Sequence, residues 1–229
     1  ATQTIGGTAA THTFYNVTVA KTGSVLLTLS ATPTTLTLND FTLTSGAFTL
    51  PVTLTTMNIN GNLTLTAGTF TAANGGTINS KGNWTNIAAT FNTGTGTVVF
   101  DNTTTTQNIN GANATQTFNN VTVNKTAGIL LTFNEATPTS FTVNNYIQTS
   151  GNVTVPNTLT SFTINGNITL TAGTFLASNG TINAKGDWNN SGGTFTHGSG
   201  TVAFNSSSVA QTINGKFNVR FNRIGARSF

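Results

Sequence analysis

The chain has 229 residues, which allows one or two domains with a sizeable core. Only 5% of the residues are charged, against about a quarter in typical domains, and Thr, Asn and Gly supply the polarity instead. The absence of cysteine excludes disulfides and thiolate metal sites. No apolar run approaches the roughly 20 residues that a membrane span needs, so we expect no membrane insertion.

The net charge of +4 is confined to one end of the chain. Segment 216–229 carries four basic residues and no acid, whereas the remainder holds four lysines and four acids and is neutral. A basic tail on a neutral body is a weak signal for nucleic-acid binding. We therefore expect no nucleic-acid partner.

A long repeat organises the chain. The motif Gln-x-Ile-x-Gly starts at Gln3 and recurs at Gln107 and Gln211, with the same spacing both times. The copies therefore cover about 3–106 and 107–210, and a third begins at 211. A period of this length also suits two immunoglobulin-sized sandwiches, so a shorter period inside the copies must decide between the two architectures.

Taken in chain order, the predicted strands are short alternations of apolar residues and Thr. Val17-Thr18-Val19 and Leu36-Thr37-Leu38 come first. The segment Phe41–Phe48 is echoed by Leu63–Phe70, and the unit around Trp84 continues the echo at nearly the same spacing. Five such units fill one copy. A strand-turn unit of this size is too short for a sandwich and is typical of one rung of a solenoid.

The inner period predicts an all-β fold, a parallel β-helix with about 21 residues per rung. We expect ten to eleven rungs, forming a single continuous solenoid over 1–215. Period-two alternation points the apolar residues inward and Thr outward, and Asn-Gly pairs such as Asn60-Gly61 supply the turns. The density of β-branched residues, Gly and Asn leaves no segment suited to a helix.

The acids and histidines that catalysis would use do not recur at equivalent positions in the two copies. None of the four acids has an acidic counterpart in the other copy, and neither histidine has a histidine counterpart. Asp40 aligns with Asn145, Asp101 with Asn205, Asp187 with Asn83, His12 with Gln116 and His197 with Thr93, while Glu135 lies at an inserted residue. An enzyme would need paired carboxylates or a nucleophile with its base. We expect no enzyme, no metal site and no cofactor.

The two tryptophans are notable because they are the only ones in the chain and each copy contains one of them. Trp84 and Trp188 occupy equivalent positions in the two copies. An exposed Trp could stack on a sugar, which makes the pair a candidate glycan-binding site. The other interpretation places both indoles inside, in an aromatic ladder with residues such as Phe91, and we favour it.

The repeat units resemble modules of very large repetitive bacterial surface proteins, including adhesins of gliding and biofilm-forming bacteria. The resemblance rests on the units at 60–70, 81–86, 94–100, 107–111 and 117–123, and it covers nearly all of 1–215. It implies secretion, an extracellular or cell-surface location, and a long rod that serves adhesion or filament building. The start at Ala1-Thr2-Gln3 is consistent with a mature or excised N-terminus.

The expected function is that of a non-catalytic rod-like spacer or filament subunit that assembles head to tail. Phe217, Val219 and Phe221 alternate with polar residues, so the tail is a candidate self-assembly strand. One alternative is a module that binds carbohydrate or a host surface. Another is an ice-binding solenoid, which requires the Thr-x-Thr pairs to lie on one flat face; these pairs are Thr35/Thr37, Thr42/Thr44, Thr53/Thr55 and Thr64/Thr66.

Overall fold

The computed structural model describes residues 1–133, 138–208 and 210–215. Over these residues the chain forms an all-β parallel solenoid of about 22 residues per turn and roughly nine turns, and no described residue is helical. The predicted fold class is therefore confirmed. The predicted count of ten to eleven rungs is too high, for a reason that the strand order reveals.

Each turn contributes one strand to each of three faces, so that every third strand along the chain pairs in parallel. Face 1 consists of two sheets, β1 (Gln3–Ile5), β4 (Leu26–Leu29), β7 (Ala47–Thr49), β10 (Thr69–Thr71) and β13 (Thr90–Asn92), followed by β16 (Thr115–Thr117), β19 (Ser140–Val143), β22 (Ser161–Ile164), β25 (Thr181–Ala184) and β28 (Thr201–Phe204). Face 2 is one sheet of β2 (Thr11–Thr13), β5 (Thr35–Leu38), β8 (Thr56–Ile59), β11 (Thr77–Ser80), β14 (Thr97–Phe100), β17 (Asn120–Asn124), β20 (Asn145–Ser150), β23 (Ile168–Leu170), β26 (Trp188–Asn190) and β29 (Ile213–Gly215). Face 3 is one sheet of β3 (Asn16–Ala20), β6 (Asp40–Ser45), β9 (Leu63–Leu65), β12 (Trp84–Asn86), β15 (Gln107–Asn110), β18 (Leu130–Phe133), β21 (Asn152–Thr154), β24 (Thr174–Leu176) and β27 (Thr194–Thr196).

The alternation of apolar residues and Thr determines which side chains enter the core. In β5, Leu36 and Leu38 are buried while the threonines beside them face outward and are half-buried. Leu36 lies in register with Met57 of the next turn, which in turn lies beside Ile78. Similar side chains therefore stack above one another, and each ladder continues because the side-chain period matches the pleat.

An aromatic spine runs along the core through both copies. Phe70 contacts Phe91 with ring centroids 5.4 Å apart, and Phe91 contacts Phe118 of the second copy at 5.7 Å. The contacts continue from Phe118 to Phe141 at 5.3 Å. Because the rings of both copies pack against one another, the two copies share one core.

One copy of the repeat does not fill a whole number of turns. Strand β1 on face 1 corresponds to β15, fourteen strands later, which lies on face 3; the next equivalent strand, β29, lies on face 2. With three strands per turn, one copy occupies four and two-thirds turns. Each copy is therefore rotated about the rod axis by a third of a turn relative to its predecessor. The prediction of five turns per copy missed this fraction, which accounts for the excess rungs.

At the junction of the copies, two of the three faces continue without interruption. On face 2, Thr97 pairs with Asn120, and on face 3, Trp84 pairs with Ile109. Face 1 is interrupted between β13 and β16 among the described strands. There the side chain of Asn113 donates a hydrogen bond to the backbone oxygen of Ala89 at 3.2 Å.

Stacked glycines form a corner in each copy of the repeat, between faces 2 and 3 in the first copy and between faces 1 and 2 in the second. A Cβ added to Gly82 would lie 2.1 Å from the backbone oxygen of Gly61 in the preceding turn. In the second copy, a Cβ on Gly186 would lie 2.3 Å from the oxygen of Gly166. Successive turns approach so closely at these two corners that only glycine fits.

Candidate functional site

A ladder of asparagine and aspartate side chains follows one edge of the rod. In the first copy, the Oδ1 atom of each member accepts a hydrogen bond from the backbone N–H of the next member, one turn further along. The bonds run from Asp40 N–H to Asn16 (3.1 Å), Asn62 N–H to Asp40 (2.7 Å), Asn83 N–H to Asn62 (2.9 Å) and Asn108 N–H to Asn83 (2.9 Å). Such bonds satisfy backbone donors at a corner, where the strand ladder begins.

The second copy repeats this ladder on a different face. The bonds run from Asn167 N–H to Asn145 Oδ1 (2.8 Å), Asp187 N–H to Asn167 Oδ1 (2.9 Å) and Thr212 N–H to Asp187 Oδ1 (2.8 Å). The ladder borders face 3 in the first copy and face 2 in the second, as the rotation of the repeat requires. A ligand recognising this ladder would therefore meet it on successive sides of the rod.

The aspartates of the ladder do what asparagine does at the equivalent positions. Asp40 and Asp187 each accept a backbone N–H through Oδ1, as Asn145 and Asn83 do in the other copy. Sequence reasoning aligned these acids with asparagines but did not find the bond that the two residue types share. The signal was the recurrence of Asn or Asp at one step per turn.

The described carboxylates do not form a catalytic pair. Asp40, Asp101 and Asp187 belong to turns that are at least three rungs apart, which corresponds to about 14 Å along the rod. Glycoside hydrolysis requires carboxylates within about 10 Å of each other. Within the described part of the chain, no three His, Cys, Asp or Glu residues are grouped to hold a metal ion. Glu135 lies outside the described residues.

A buried polar cluster lies where the copies meet. Lys125, only 1% exposed, donates a hydrogen bond from Nζ to Gln107 Oε1 at 2.6 Å. The same oxygen accepts the backbone N–H of Asn102 at 3.2 Å. Gln107 Nε2 in turn donates to the backbone oxygens of Ser80 at 2.8 Å and Gly82 at 2.7 Å. Gln107 thereby joins the first copy to a lysine of the second.

The charges of this cluster are perturbed by burial. Burial lowers the pKa of Lys125 to about 8, against a smaller opposing effect of the Asp101 charge. Burial also raises the pKa of Asp101, and the charge of Lys81 is the largest opposing effect. Sequence reasoning missed this cluster, although a lysine follows the first glutamine of each copy at the same spacing, at Lys21 and Lys125.

The two tryptophans lie inside the rod. Trp84 is 0% exposed and Trp188 is 2% exposed. Trp84 packs edge-on against Phe91 at 4.9 Å, and Trp188 packs against Phe195 at 5.0 Å. The candidate glycan-stacking role of both residues is therefore wrong for this structure, because neither indole face is accessible to a sugar.

The remaining candidate sites are the Thr-x-Thr pairs for ice binding and the candidate self-assembly strand. Thr42 and Thr64 lie in register on face 3, whereas Thr35 and Thr37 lie on face 2. The four Thr-x-Thr pairs therefore do not share one flat face, which an ice-binding surface requires. The candidate self-assembly strand of Phe217, Val219 and Phe221 lies outside the described residues.

The core is filled by side chains. One interior cavity beside Leu54 and Met57 and another beside Tyr146 and Trp188 each measure about 10 Å³. A cavity of this size holds about one water molecule. Neither is large enough for a small-molecule ligand.

Comparison of the chain with protein-family models, with curated proteins and with solved structures finds no match. Among the described residues, no helix is long and apolar enough to cross a membrane. The function is therefore inferred from the geometry of the rod and from the repeat pattern.

Proposed function

We propose that the chain is a non-catalytic extracellular structural protein, a rod-like spacer or filament subunit of a bacterial surface adhesin or fibre. The observation that carries this proposal is the continuity of the rod across the junction of its two copies. Backbone ladders on faces 2 and 3 and the aromatic contact of Phe91 with Phe118 all cross the junction. A load applied along the rod is then borne by the same core throughout.

The surface supports the same role. The outward positions are mostly Thr and Asn, and only 5% of the chain is charged. Thr28, for example, donates from its hydroxyl to the backbone oxygen of Thr49 in the next turn at 2.9 Å. Outward polar side chains of this kind link neighbouring turns. The resemblance of the repeat units to bacterial surface proteins supplies the biological setting of the proposal.

Replacing all four acids tests whether the protein is non-catalytic. We expect a variant with Asp40→Asn, Asp101→Asn, Asp187→Asn and Glu135→Gln to fold, because asparagine oxygens accept the same backbone N–H groups as Asp40 and Asp187 do in the ladder. When displayed on cells, we expect this variant to attach them to a surface as well as the unmodified chain does. Circular dichroism verifies the fold, and an attachment assay on cells displaying the chain provides the readout. Loss of attachment in a folded variant would contradict the proposal, as would release of reducing sugar from a polysaccharide by the unmodified chain alone.

A further inference from the structure

The buried polar cluster at the junction of the copies holds an amine against a carboxamide. Lys125 and Gln107 are each 1% exposed, and Lys125 Nζ lies 2.6 Å from Gln107 Oε1. A C=O bond is about 1.23 Å long, so Nζ lies within about 3.8 Å of the carboxamide carbon Cδ. Reacting atoms about 3–3.5 Å apart are positioned for bond formation. A small movement of the lysine side chain therefore brings the two groups to reaction distance.

Hydrogen bonds hold the carboxamide of Gln107 in one orientation. Its Nε2 donates to the backbone oxygens of Ser80 at 2.8 Å and Gly82 at 2.7 Å. Its Oε1 accepts the backbone N–H of Asn102 at 3.2 Å. A backbone N–H aimed at this oxygen stabilises the negative charge that forms there when an amine adds to the carbon. The carboxamide is therefore both fixed in place and activated towards attack.

The charge state of the amine also favours attack. Because burial lowers the pKa of Lys125 to about 8, against an opposing effect of the Asp101 charge, about half of the amine is neutral at that pH. The neutral amine is the nucleophilic form. Asp101 Oδ1 is buried and accepts no hydrogen bond within the described part of the chain. Its lone pairs are therefore free to take up a proton.

We propose that Lys125 and Gln107 react within the folded chain to form an isopeptide bond. Nζ of Lys125 adds to Cδ of Gln107, the Cδ–Nε2 bond breaks, and Nε2 leaves as ammonia. Asp101 takes up the proton that Nζ loses and returns it to Nε2, so one amide replaces another without a further reactant. This modification goes beyond the structural role proposed above, because it requires only the folded chain. Once linked, Lys125 no longer titrates, so any pH dependence of stability that its amine produces belongs to chains that have not reacted.

Gln211 provides a comparison within the same molecule, because its carboxamide is held as that of Gln107 is. Its Nε2 donates to two backbone oxygens at 2.9 and 2.7 Å, and its Oε1 accepts a backbone N–H at 3.1 Å. In the sequence, however, Asn205 takes the place of Asp101, and Phe229 takes the place of the lysine. We therefore expect only one of the two glutamines to react.

The mass of the intact chain tests the reaction. We expect the purified full chain, after denaturation, to be lighter than its sequence requires by one ammonia. Lys125→Arg keeps the positive charge but removes the reactive amine, so this variant should have its full mass. Lys21→Arg, which changes the equivalent lysine of the first copy, should still lack one ammonia. Circular dichroism verifies that both variants fold. A full mass for the unmodified chain would overturn the proposal.

Digestion locates the bond, because succinimide formation at an Asn-Gly pair also releases one ammonia. Chymotrypsin cleaves after aromatic residues and so separates Gln107 from Lys125 at Phe118. We expect the segments on the two sides of Phe118 to remain joined, and the fragment that contains Gln211 to be unlinked. Separate segments would overturn the proposal. A loss of one water would overturn it too, since that mass would indicate a bond between Lys125 and a carboxyl group.

Replacement of Asp101 tests the proton transfer. General acid–base catalysis contributes about a hundredfold or more to a rate, so we expect Asp101→Asn to form the bond at least about tenfold more slowly. The fraction of unlinked chain, measured by mass at successive times after synthesis, gives the rate for each chain. Asp187→Asn, which changes a carboxyl group far along the rod, is the matched control and should react as the unmodified chain does. An equal rate for Asp101→Asn would contradict the role of Asp101.

Discussion

At the scale of single residues, the ladder of Asn and Asp side chains explains why these residues recur with the period of the turn. Each Oδ1 atom accepts a backbone N–H of the following turn, so one side chain serves two turns. Both carboxylate and amide oxygens can accept this bond. The few acids of the described chain therefore have a structural explanation at two of their three positions, Asp40 and Asp187.

Asn83 offers a direct test of this explanation. Its Oδ1 accepts the N–H of Asn108 at 2.9 Å, and its counterpart in the second copy is Asp187. We expect Asn83→Ala to lower the free energy of unfolding by about 1–2 kcal/mol, because a backbone donor loses its acceptor. Asn83→Asp should change it by much less. Urea denaturation measures both variants, and equal losses for Ala and Asp would show that the acceptor is unimportant.

Lys125 should make the stability depend on pH above neutrality. Its pKa is about 8 in the folded chain, below the ordinary value of 10.5, so between these pH values the unfolded chain binds more protons. Stability then rises as the pH increases from 8 towards 10. Above that range Tyr146 acts in the opposite direction, because burial raises the pKa of its hydroxyl.

Substitution of Lys125 isolates this contribution. We expect Lys125→Met to abolish the rise in stability between pH 8 and 10, measured by urea denaturation at several pH values. Lys21→Met, which removes the equivalent lysine of the first copy, should retain it. A rise of the same size in Lys125→Met would assign the pH dependence to another group.

At the scale of the structural element, the close approach of successive turns at the glycine corner should limit substitution. A Cβ on Gly82 would lie 2.1 Å from a backbone oxygen, whereas a Cβ on Gly6 would have no atom within 4 Å. Because backbone atoms cannot move aside easily, we expect Gly82→Ala to cost about 3 kcal/mol. Gly6→Ala should be nearly neutral. Thermal unfolding followed by circular dichroism compares the two, and a tolerated Gly82→Ala would mean that the turns are less tightly stacked.

The strands themselves could be predicted from the sequence because their pattern is local. Alternation in Leu36-Thr37-Leu38 determines which side chains face inward, and the inner period determines that turns stack. The local pattern does not show that one copy fills four and two-thirds turns rather than five. Turns differ in length, and the one from Thr77 to Thr97 is shorter than the one from Trp84 to Ile109. The number of turns therefore depends on loops whose length has no local pattern.

The buried polar cluster of Lys125 and Gln107 also could not be predicted from the sequence, because its contacts cross between the two copies. Lys21 and Lys125 occupy equivalent positions in the sequence, yet only Lys125 is fully buried. The difference depends on the preceding copy, which supplies the oxygens of Ser80 and Gly82 that hold Gln107. The equal Gln-to-Lys spacing recurs in both copies, but nothing within a copy shows which of the two lysines the preceding copy buries.

At the scale of the whole molecule, the repeat advances along the rod as a screw. Each copy spans four and two-thirds turns, which at roughly 4.8 Å per turn is a rise of about 22 Å. It also turns the pattern by one face, so three copies are needed before a surface feature returns to the same side. A rod built in this way presents its polar ladder on every side in succession, which suits a spacer or fibre better than a module with one binding face.

The central claim is that the two copies form one continuous structural rod. Electron microscopy of the purified full chain tests it most directly. The account predicts straight particles of uniform width whose length is about 45 Å for one chain and increases in steps of that size, with copies related by a third of a turn in any filament. Pairs of separate globules, or filaments in which successive copies show no such rotation, would contradict it.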